Sequence, residues 1–141
     1  SWIKEYNPQS IVDLGCGLGR FTRRFKEITS NVIGIDIAQT AIDKAKNEFK
    51  DIDFRVGNLC NMQLPNSDIF ICKDVIYYFH KDGDEHLVSE VAKNMNMVAF
   101  FSIPNISMTG EELFLLVNKY MRIIKYYADD CHSFVLADRR K

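Results

Sequence analysis

The sequence is poor in several features that mark whole classes of protein. It has three prolines and one tryptophan in 141 residues, and its longest apolar run, residues 97–101, is far too short to cross a bilayer. No secretory signal opens the chain, and the 18 lysines and arginines nearly balance the 19 aspartates and glutamates. We therefore expect a cytoplasmic protein with no membrane partner and no general attraction to nucleic acid.

The four cysteines are scattered, which argues against both a disulfide framework and a metal site. The chain has no C-x-x-C pair and no histidine cluster with the spacing of zinc ligands. A composition of 47% hydrophobic and 26% charged residues is typical of globular proteins. At this length we expect a single domain that covers residues 1–141.

Apolar stretches of strand type alternate with segments of helical periodicity, a pattern typical of a parallel sheet covered by helices. The predicted strands are residues 10–14, 31–36, 54–57, 69–72 and 97–103. Phe21, Phe25 and Ile28 form an apolar stripe that predicts a helix after the first strand. Residues 122–127 and 133–137 follow one another with only a short polar turn between them, which predicts a terminal antiparallel hairpin.

The first predicted strand runs into a turn rich in glycine, residues 12–20, with the sequence VDLGCGLGR. Glycines at alternate positions let the main chain contact a ligand, because no Cβ stands in the way and a positive φ costs little. The turn departs from the dinucleotide fingerprint, since Arg20 stands where the third glycine should be, and it lacks the Gly-Lys-Ser/Thr of a phosphate loop. The glycines alone therefore leave the ligand open.

Asp36 supplies the second part of the expected site, at the end of the second predicted strand. A carboxylate there is placed to accept both hydroxyls of a ribose. Asp13 lies next to the glycine turn, where its charge would repel a pyrophosphate and suit an ammonium or a sulfonium group. Together these residues predict a nucleoside ligand whose other end is cationic.

Four segments in order, VDLGCGLGRFT, VIGIDIAQTAIDKAK, FRVGNLCNMQLP and SDIFICKDVIYYFH, resemble the motifs of class I S-adenosylmethionine-dependent methyltransferases. The resemblance covers nearly the whole chain. It implies an α/β fold with a Rossmann-like, seven-stranded, mostly parallel sheet, a C-terminal antiparallel hairpin and helices on both faces. It also implies transfer of a methyl group from S-adenosyl-L-methionine to N or O of an unidentified acceptor.

The resemblance assigns the cofactor to particular residues of this chain. The methionine part is expected at Asp13, Gly15, Cys16 and Gly17, the ribose at Asp36, the adenine at Ile37, Asn58 and Leu59, and the sulfonium near Cys72 and Lys73. Two residues depart from the family pattern. Asn58 replaces the usual acid, and Lys73 places a cation beside a sulfonium unless its side chain points away. No metal is required for this reaction.

The stretch after the fourth predicted strand, residues 73–80, is where we expect the acceptor to bind. Its DVIYYF segment resembles the EVLYYL pattern of small methyltransferases that act on amino sugars and oligosaccharides, such as the nodulation N-methyltransferases. A small-molecule or saccharide acceptor is therefore favoured. His80 is the candidate general base and Tyr77 an orienting hydroxyl, with a surface-loop histidine and a core or lid aromatic as the alternative interpretations.

The predicted site has little around it to define a substrate. Only nine residues precede the first predicted strand, and the loop at residues 104–109 is short. An open site of this kind is completed by a partner subunit, by a second copy of the chain or by a large substrate, unless residues precede Ser1. The alternative functions are a non-catalytic S-adenosylmethionine-binding subunit of a larger complex, an NAD(P)-dependent reductase and a purely structural module.

Overall fold

The structure, a computed structural model, describes residues 1–140. Its elements are, in chain order, α1 (Trp2–Glu5), β1 (Ile11–Leu14), a 3₁₀ helix (Thr22–Glu27), β2 (Val32–Asp36), α2 (Gln39–Glu48), β3 (Asp53–Val56), β4 (Ser67–Lys73), a second 3₁₀ helix (Ile76–Phe79), α3 (Asp84–Asn94), β5 (Met95–Ile103), α4 (Gly110–Asn118), β6 (Met121–Ala128) and β7 (Ser133–Arg139). Strands and helices alternate up to α4, as the apolar patterning of the sequence predicts, except at residues 57–66, which join β3 to β4 without a helix.

Within residues 1–140 the seven strands form one sheet in the order β3-β2-β1-β4-β5-β7-β6. Neighbouring strands among β1 to β5 pair in parallel, whereas β7 runs antiparallel to both β5 and β6. The predicted fold class, a mostly parallel sheet with an antiparallel C-terminal hairpin, is confirmed.

Helices cover both faces of the sheet because successive strand residues point to opposite sides. Val12 of β1 packs in the same buried cluster as Leu87 of α3 and Leu113 of α4. Its neighbour Ile11 packs in a second cluster, with Ile42 of α2. The core therefore lies in two layers, one on each side of β1.

The winding of the sheet reverses at β1, which lies between β2 and β4. The chain passes outward from β1 to β2 and β3, and then returns to place β4 on the other side of β1. Ligands of open α/β sheets bind at such a reversal, outside the carboxyl ends of the strands. The topology therefore predicts a ligand site at the carboxyl ends of β1, β2 and β4.

Some local structure differs from the sequence-based expectation. The segment after the glycine turn is a short 3₁₀ helix in which Thr22 and Phe25 are buried, and Phe21, expected on its apolar stripe, is 38% exposed. With so little of the stripe buried, packing does not favour extending it into a longer α-helix. At the amino end, α1 was not predicted, and the buried Ile3 anchors it to the core.

Candidate active site

The turn after β1 uses backbone conformations that favour glycine. Gly15 has a φ of 76° and Gly17 a φ of 55°, a region that side chains disfavour. A Cβ added to Gly15 would lie 2.4 Å from Cγ2 of Val75, so the segment after β4 closes tightly over this residue. A Cβ added to Gly17 would meet no atom within 4 Å. The main chain at Gly17 therefore borders open space.

Asp36 joins the glycine turn to the end of β2. Its Oδ2 accepts a hydrogen bond of 2.9 Å from the Gly17 amide, and its Oδ1 accepts one of 2.9 Å from the Ala38 amide. Each carboxylate oxygen offers about two acceptor sites, so both oxygens retain capacity for the hydroxyls of a ligand. The structure thus brings the two parts of the predicted site into direct contact.

A cavity of about 500 Å³, here called the cleft cavity, opens at the carboxyl ends of these strands. Part of its lining consists of residues for which the sequence predicts cofactor binding, namely Gly15, Asp36, Ile37, Asn58, Leu59 and Lys73. The rest comes from the segment after β4, namely Asp74, Val75, Tyr78 and Phe79. The volume falls within the range of small-molecule and cofactor sites.

The cleft cavity has apolar walls and a few polar groups. Ile37 is 63% exposed, an unusual state for a large apolar side chain that lines a cavity, whereas Leu59 is buried. The Asn58 Oδ1 accepts a hydrogen bond of 2.9 Å from the Cys60 amide, which fixes the side chain within its turn. One lone pair of that oxygen and the amide hydrogens of Asn58 are additional hydrogen-bonding capacity.

A smaller cavity of about 210 Å³, here called the inner cavity, adjoins the cleft cavity. It is lined by Asp13, Gly15, Cys16, Phe21, Lys73 and Asp74. Gly15, Lys73 and Asp74 border both cavities, so the two lie side by side at the glycine turn. Cys72 is different, since its side chain is 1% exposed and packs in the core beneath the site.

Asp13 is a buried carboxyl group with a strongly altered acidity. It is 3% exposed, and its Oδ2 accepts a hydrogen bond of 2.7 Å from the Thr22 hydroxyl. Burial raises the pKa of Asp13 to about 7, because the hydrogen bond from Thr22 and the charge of Lys73 offset the loss of solvation only in part. Near neutral pH the carboxyl group is therefore divided between its protonated and charged forms.

The same burial makes two cysteines of the site unreactive. The pKa of Cys16 and that of Cys72 are each raised to about 12, first by burial and then by the negative charge of Asp13. The thiolate is the nucleophilic form of cysteine. Neither side chain is therefore a nucleophile near neutral pH.

Lys73 points toward the inner cavity. Its Nζ lies 4.6 Å from the centroid of the Phe21 ring, a cation–π contact. Because Phe21 lines the inner cavity and not the cleft cavity, the contact draws the ammonium group away from the cleft. The ammonium group therefore lies at the cavity that Asp13 and Cys16 also line, where the methionine part of the cofactor is expected.

The two residues predicted to be catalytic lie outside both cavities. The Tyr77 ring stacks on Tyr78 with centroids 4.2 Å apart, and the Tyr77 carbonyl accepts a hydrogen bond of 2.9 Å from the Ser107 hydroxyl. His80 lines a separate cavity of about 780 Å³ between α3 and α4. The structure does not bring either side chain to the residues of the cleft cavity, and their catalytic roles stay a prediction.

Asp74 is a site residue that the sequence analysis did not single out. It has a φ of 55°, and its amide donates a hydrogen bond of 2.9 Å to the Ser102 carbonyl. Its Oδ1 accepts a hydrogen bond of 3.0 Å from the Ser102 hydroxyl and lies 3.2 Å from Nε2 of His132. The available signal was its position directly after β4, inside the segment expected to bind the acceptor.

Residues 1–140 show no feature of a membrane span or of a metal centre. None of the helices has both the length and the apolar character that crossing a membrane requires. Among the same residues, no group of three or more histidines, cysteines, aspartates or glutamates is arranged to hold a metal ion.

The fold is that of class I S-adenosylmethionine-dependent methyltransferases. A TehB-like S-adenosylmethionine-dependent methyltransferase from Corynebacterium glutamicum aligns with a TM-score of 0.83 at 18% identity, over 94% of this chain and 80% of its own. The N-methyltransferase NodS from Bradyrhizobium japonicum, solved with S-adenosyl-L-homocysteine, aligns with a TM-score of 0.80 at 13% identity, over 95% and 79%. Residues 11–96 match the family model described as "Methyltransferase domain", and the chain belongs to this family.

Curated relatives carry different activities. The carboxy-S-adenosyl-L-methionine synthase of Campylobacter jejuni is 26% identical over 126 residues, which cover 85% of this chain and 52% of that protein. The magnesium-protoporphyrin O-methyltransferase of Rhodobacter capsulatus is 24% identical over 98 residues, 66% of this chain and 44% of that protein. The chain thus spans about half the length of the curated relatives it matches.

Proposed function

We propose that this chain is a methyltransferase that uses S-adenosyl-L-methionine to methylate N or O of a small-molecule or saccharide acceptor. The observation that carries the proposal is the hydrogen bond between the Gly17 amide and the Asp36 carboxylate, at the reversal point of the sheet. It sets the glycine turn beside a carboxylate, and Gly15 of that turn lines the same cavity as Asp36. The family of the chain supports the same conclusion.

The lining of the cleft cavity matches the chemistry of an adenosine group. The Asp36 carboxylate retains acceptor capacity for ribose hydroxyls beyond its two amide bonds. Ile37 and Leu59 offer apolar surface to the two faces of a base, and Asn58 offers polar groups to its edge. Apolar contacts with a few directional polar groups are what small-molecule sites use for affinity and orientation.

The inner cavity matches an amino acid that carries both charges. Asp13 supplies a carboxyl group and Lys73 an ammonium group on its walls. A cationic ligand would favour the charged form of Asp13, whose raised pKa leaves it partly protonated near neutral pH. Cofactor binding should therefore release a proton from Asp13.

Bound S-adenosylmethionine would supply a methyl group that is already activated. The residues around it therefore have to orient the acceptor toward that methyl group and exclude water from both. Positioning of this kind contributes about 7–11 kcal/mol in favourable cases. Asp74 borders both cavities and is the carboxylate placed to take a proton from an acceptor amine or hydroxyl. We assign it the role of general base.

The rim of the cleft cavity supports a ring-shaped acceptor. Tyr78 is 71% exposed and lines the cavity, and stacking on Tyr77 fixes the orientation of its ring. A rigid aromatic face with a hydroxyl at its edge suits the apolar face of a sugar and the hydroxyls around it. This platform is the feature of the structure that favours a saccharide.

Calorimetric titration with S-adenosylmethionine and S-adenosylhomocysteine tests the site. The Asp36→Ala variant should bind at least tenfold more weakly than wild type, a loss of about 1.4 kcal/mol or more. Asp43→Ala is the matched control, because Asp43 is exposed on α2 and its carboxylate accepts a hydrogen bond from Gln39 on the same helix. Equal affinity of wild type and Asp36→Ala would contradict the assignment of Asp36.

Mass spectrometry of reactions with amino sugars, oligosaccharides and small amines tests the activity. Formation of S-adenosylhomocysteine together with a methylated acceptor is the expected result. Tight cofactor binding without turnover on any acceptor would point instead to a non-catalytic binding subunit. Absence of nucleoside binding would overturn the proposal as a whole.

A further inference from the structure

His80 is held between two carboxylates that belong to different helices. Its Nδ1 lies 3.0 Å from Oδ2 of Asp84, the first residue of α3, and its Nε2 lies 2.8 Å from Oε2 of Glu112 in the first turn of α4. The imidazole side chain is only 15% exposed. This arrangement, here called the His80 clamp, joins the end of the second 3₁₀ helix to both α-helices.

The clamp needs a doubly protonated ring. Carboxylates accept hydrogen bonds and donate none, so both contacts are satisfied only when each ring nitrogen carries a hydrogen. Burial of the ring lowers the pKa of His80, but the hydrogen bonds to Asp84 and Glu112 outweigh it and leave that pKa above the ordinary value of 6.5. A neutral ring would leave one carboxylate facing a nitrogen lone pair.

Both carboxylates are themselves anchored. Asp84 is buried, and its oxygens accept hydrogen bonds from the amides of Glu85 and Lys81. Glu112 completes the capping box of α4, in which its Oε1 accepts a hydrogen bond of 3.0 Å from the Thr109 amide. The clamp therefore ties the segment that precedes it to rigid helix ends.

That segment is one wall of the cleft cavity. Val75, Tyr78 and Phe79 line the cavity, and they lie between two residues with left-handed backbone, Asp74 at a φ of 55° and Lys81 at 63°. Non-glycine residues in this region persist when surrounding contacts hold them. The clamp is such a contact, and it lies immediately beyond the wall.

We propose that His80 is a positioning residue whose protonated clamp holds the 75–79 wall in the shape that binds the cofactor. The inference rests on the proposed function, since it concerns affinity for the same nucleoside. The clamp also contributes stability that is fully present below pH 6.5 and is lost as the pH rises through the raised pKa of His80. The contribution of the clamp to cofactor affinity should fall over the same pH range.

Other titratable groups line the cavity around His80, from its own segment and from both helices. They are Lys81, Glu85, His86 and Lys119, in addition to the two carboxylates of the clamp. Lys119 pairs with Glu85 at 3.3 Å, and His86 Nε2 lies 2.8 Å from the Met62 carbonyl oxygen. Asp84 and Glu112 are in direct contact with the ring, so they dominate the behaviour of His80.

The test measures the Kd of S-adenosylhomocysteine by calorimetry from pH 6 to 9 in wild type and variants. At pH 6 the His80→Ala variant should bind about tenfold more weakly than wild type, as the loss of charged hydrogen bonds implies. The Glu112→Gln variant should bind tightly up to pH 9, because a glutamine amide can donate to a neutral ring nitrogen and still cap α4. His86→Gln is the matched control and should follow wild type.

Each comparison is made between proteins at the same pH, so the titration of Asp13 cancels. Two results would overturn the proposal. One is that His80→Ala binds as tightly as wild type at pH 6, and the other is that the affinity of Glu112→Gln depends on pH in the same way as that of wild type. Should His80→Ala fail to fold, Glu112→Gln decides alone. If wild type binds no nucleoside, the proposed function fails, and hydrogen exchange then tests the clamp by itself. The amides of residues 76–81 should lose protection from exchange as the pH rises in wild type and should keep it in Glu112→Gln.

Discussion

Replacement of Asp13 by asparagine should change how the stability of this protein depends on pH. Asparagine keeps the shape of the side chain and an oxygen that accepts the hydrogen bond of 2.7 Å from Thr22. It removes the ionisable proton from a group that is 3% exposed. The variant therefore isolates the cost of a buried charge from the cost of a lost contact.

The size of the effect follows from the pKa. Folding raises the pKa of Asp13 from 3.8 to about 7, so the folded state binds more protons than the unfolded state between these values. Stability must then fall as the pH rises through this range and level off above it. At about 1.4 kcal/mol per pKa unit, the buried charge costs on the order of 4 kcal/mol at pH 8.

Urea unfolding of both proteins from pH 4 to 8.5 measures this cost. The free energy of unfolding of Asp13→Asn minus that of wild type should rise by about 4 kcal/mol from pH 4 to pH 8. All other groups titrate in both proteins, so the difference reports Asp13. A difference that is constant with pH would refute the reasoning.

Two further variants test the turn and the chemistry. Gly15→Ala should destabilise the protein by at least about 1–2 kcal/mol more than Gly17→Ala in urea unfolding. Both glycines have a positive φ, but only the Cβ at Gly15 would clash with Val75. Equal losses of unfolding free energy in the two variants would show that the structure relaxes to remove the clash. Asp74→Asn should lower kcat by about 10²- to 10⁴-fold with little change in the Kd of S-adenosylhomocysteine, and unchanged kcat would remove Asp74 from the reaction.

The order of elements and the region of the site could be predicted from the sequence. The alternation of strand and helix patterns implies parallel strands, and parallel strands bring their carboxyl ends to one edge of the sheet. That rule places Gly15 and Asp36 together although 20 residues separate them, and the structure joins the turn and the carboxylate through the Gly17 amide. The terminal hairpin followed from the same local patterns.

The roles of residues 73–80 depended on the tertiary structure. The sequence patterns single out His80 as the candidate base and leave Asp74 aside, although each is a titratable group in the loop after a strand. The packing of α4 brings Glu112 to His80 across 32 residues of chain, whereas Asp74 lines both cavities. No local sequence pattern predicts a contact between residues so far apart in the chain.

The sequence by itself determined the sheet, its reversal point and the residues that gather there, because strand and turn preferences act over a few residues. The tertiary structure alone decided the protonation of Asp13, the direction of Lys73 and the partners of His80. These properties arise from burial and from contacts between distant segments. Desolvation and charge pairing act through space, and the chain sets them only once its helices have packed.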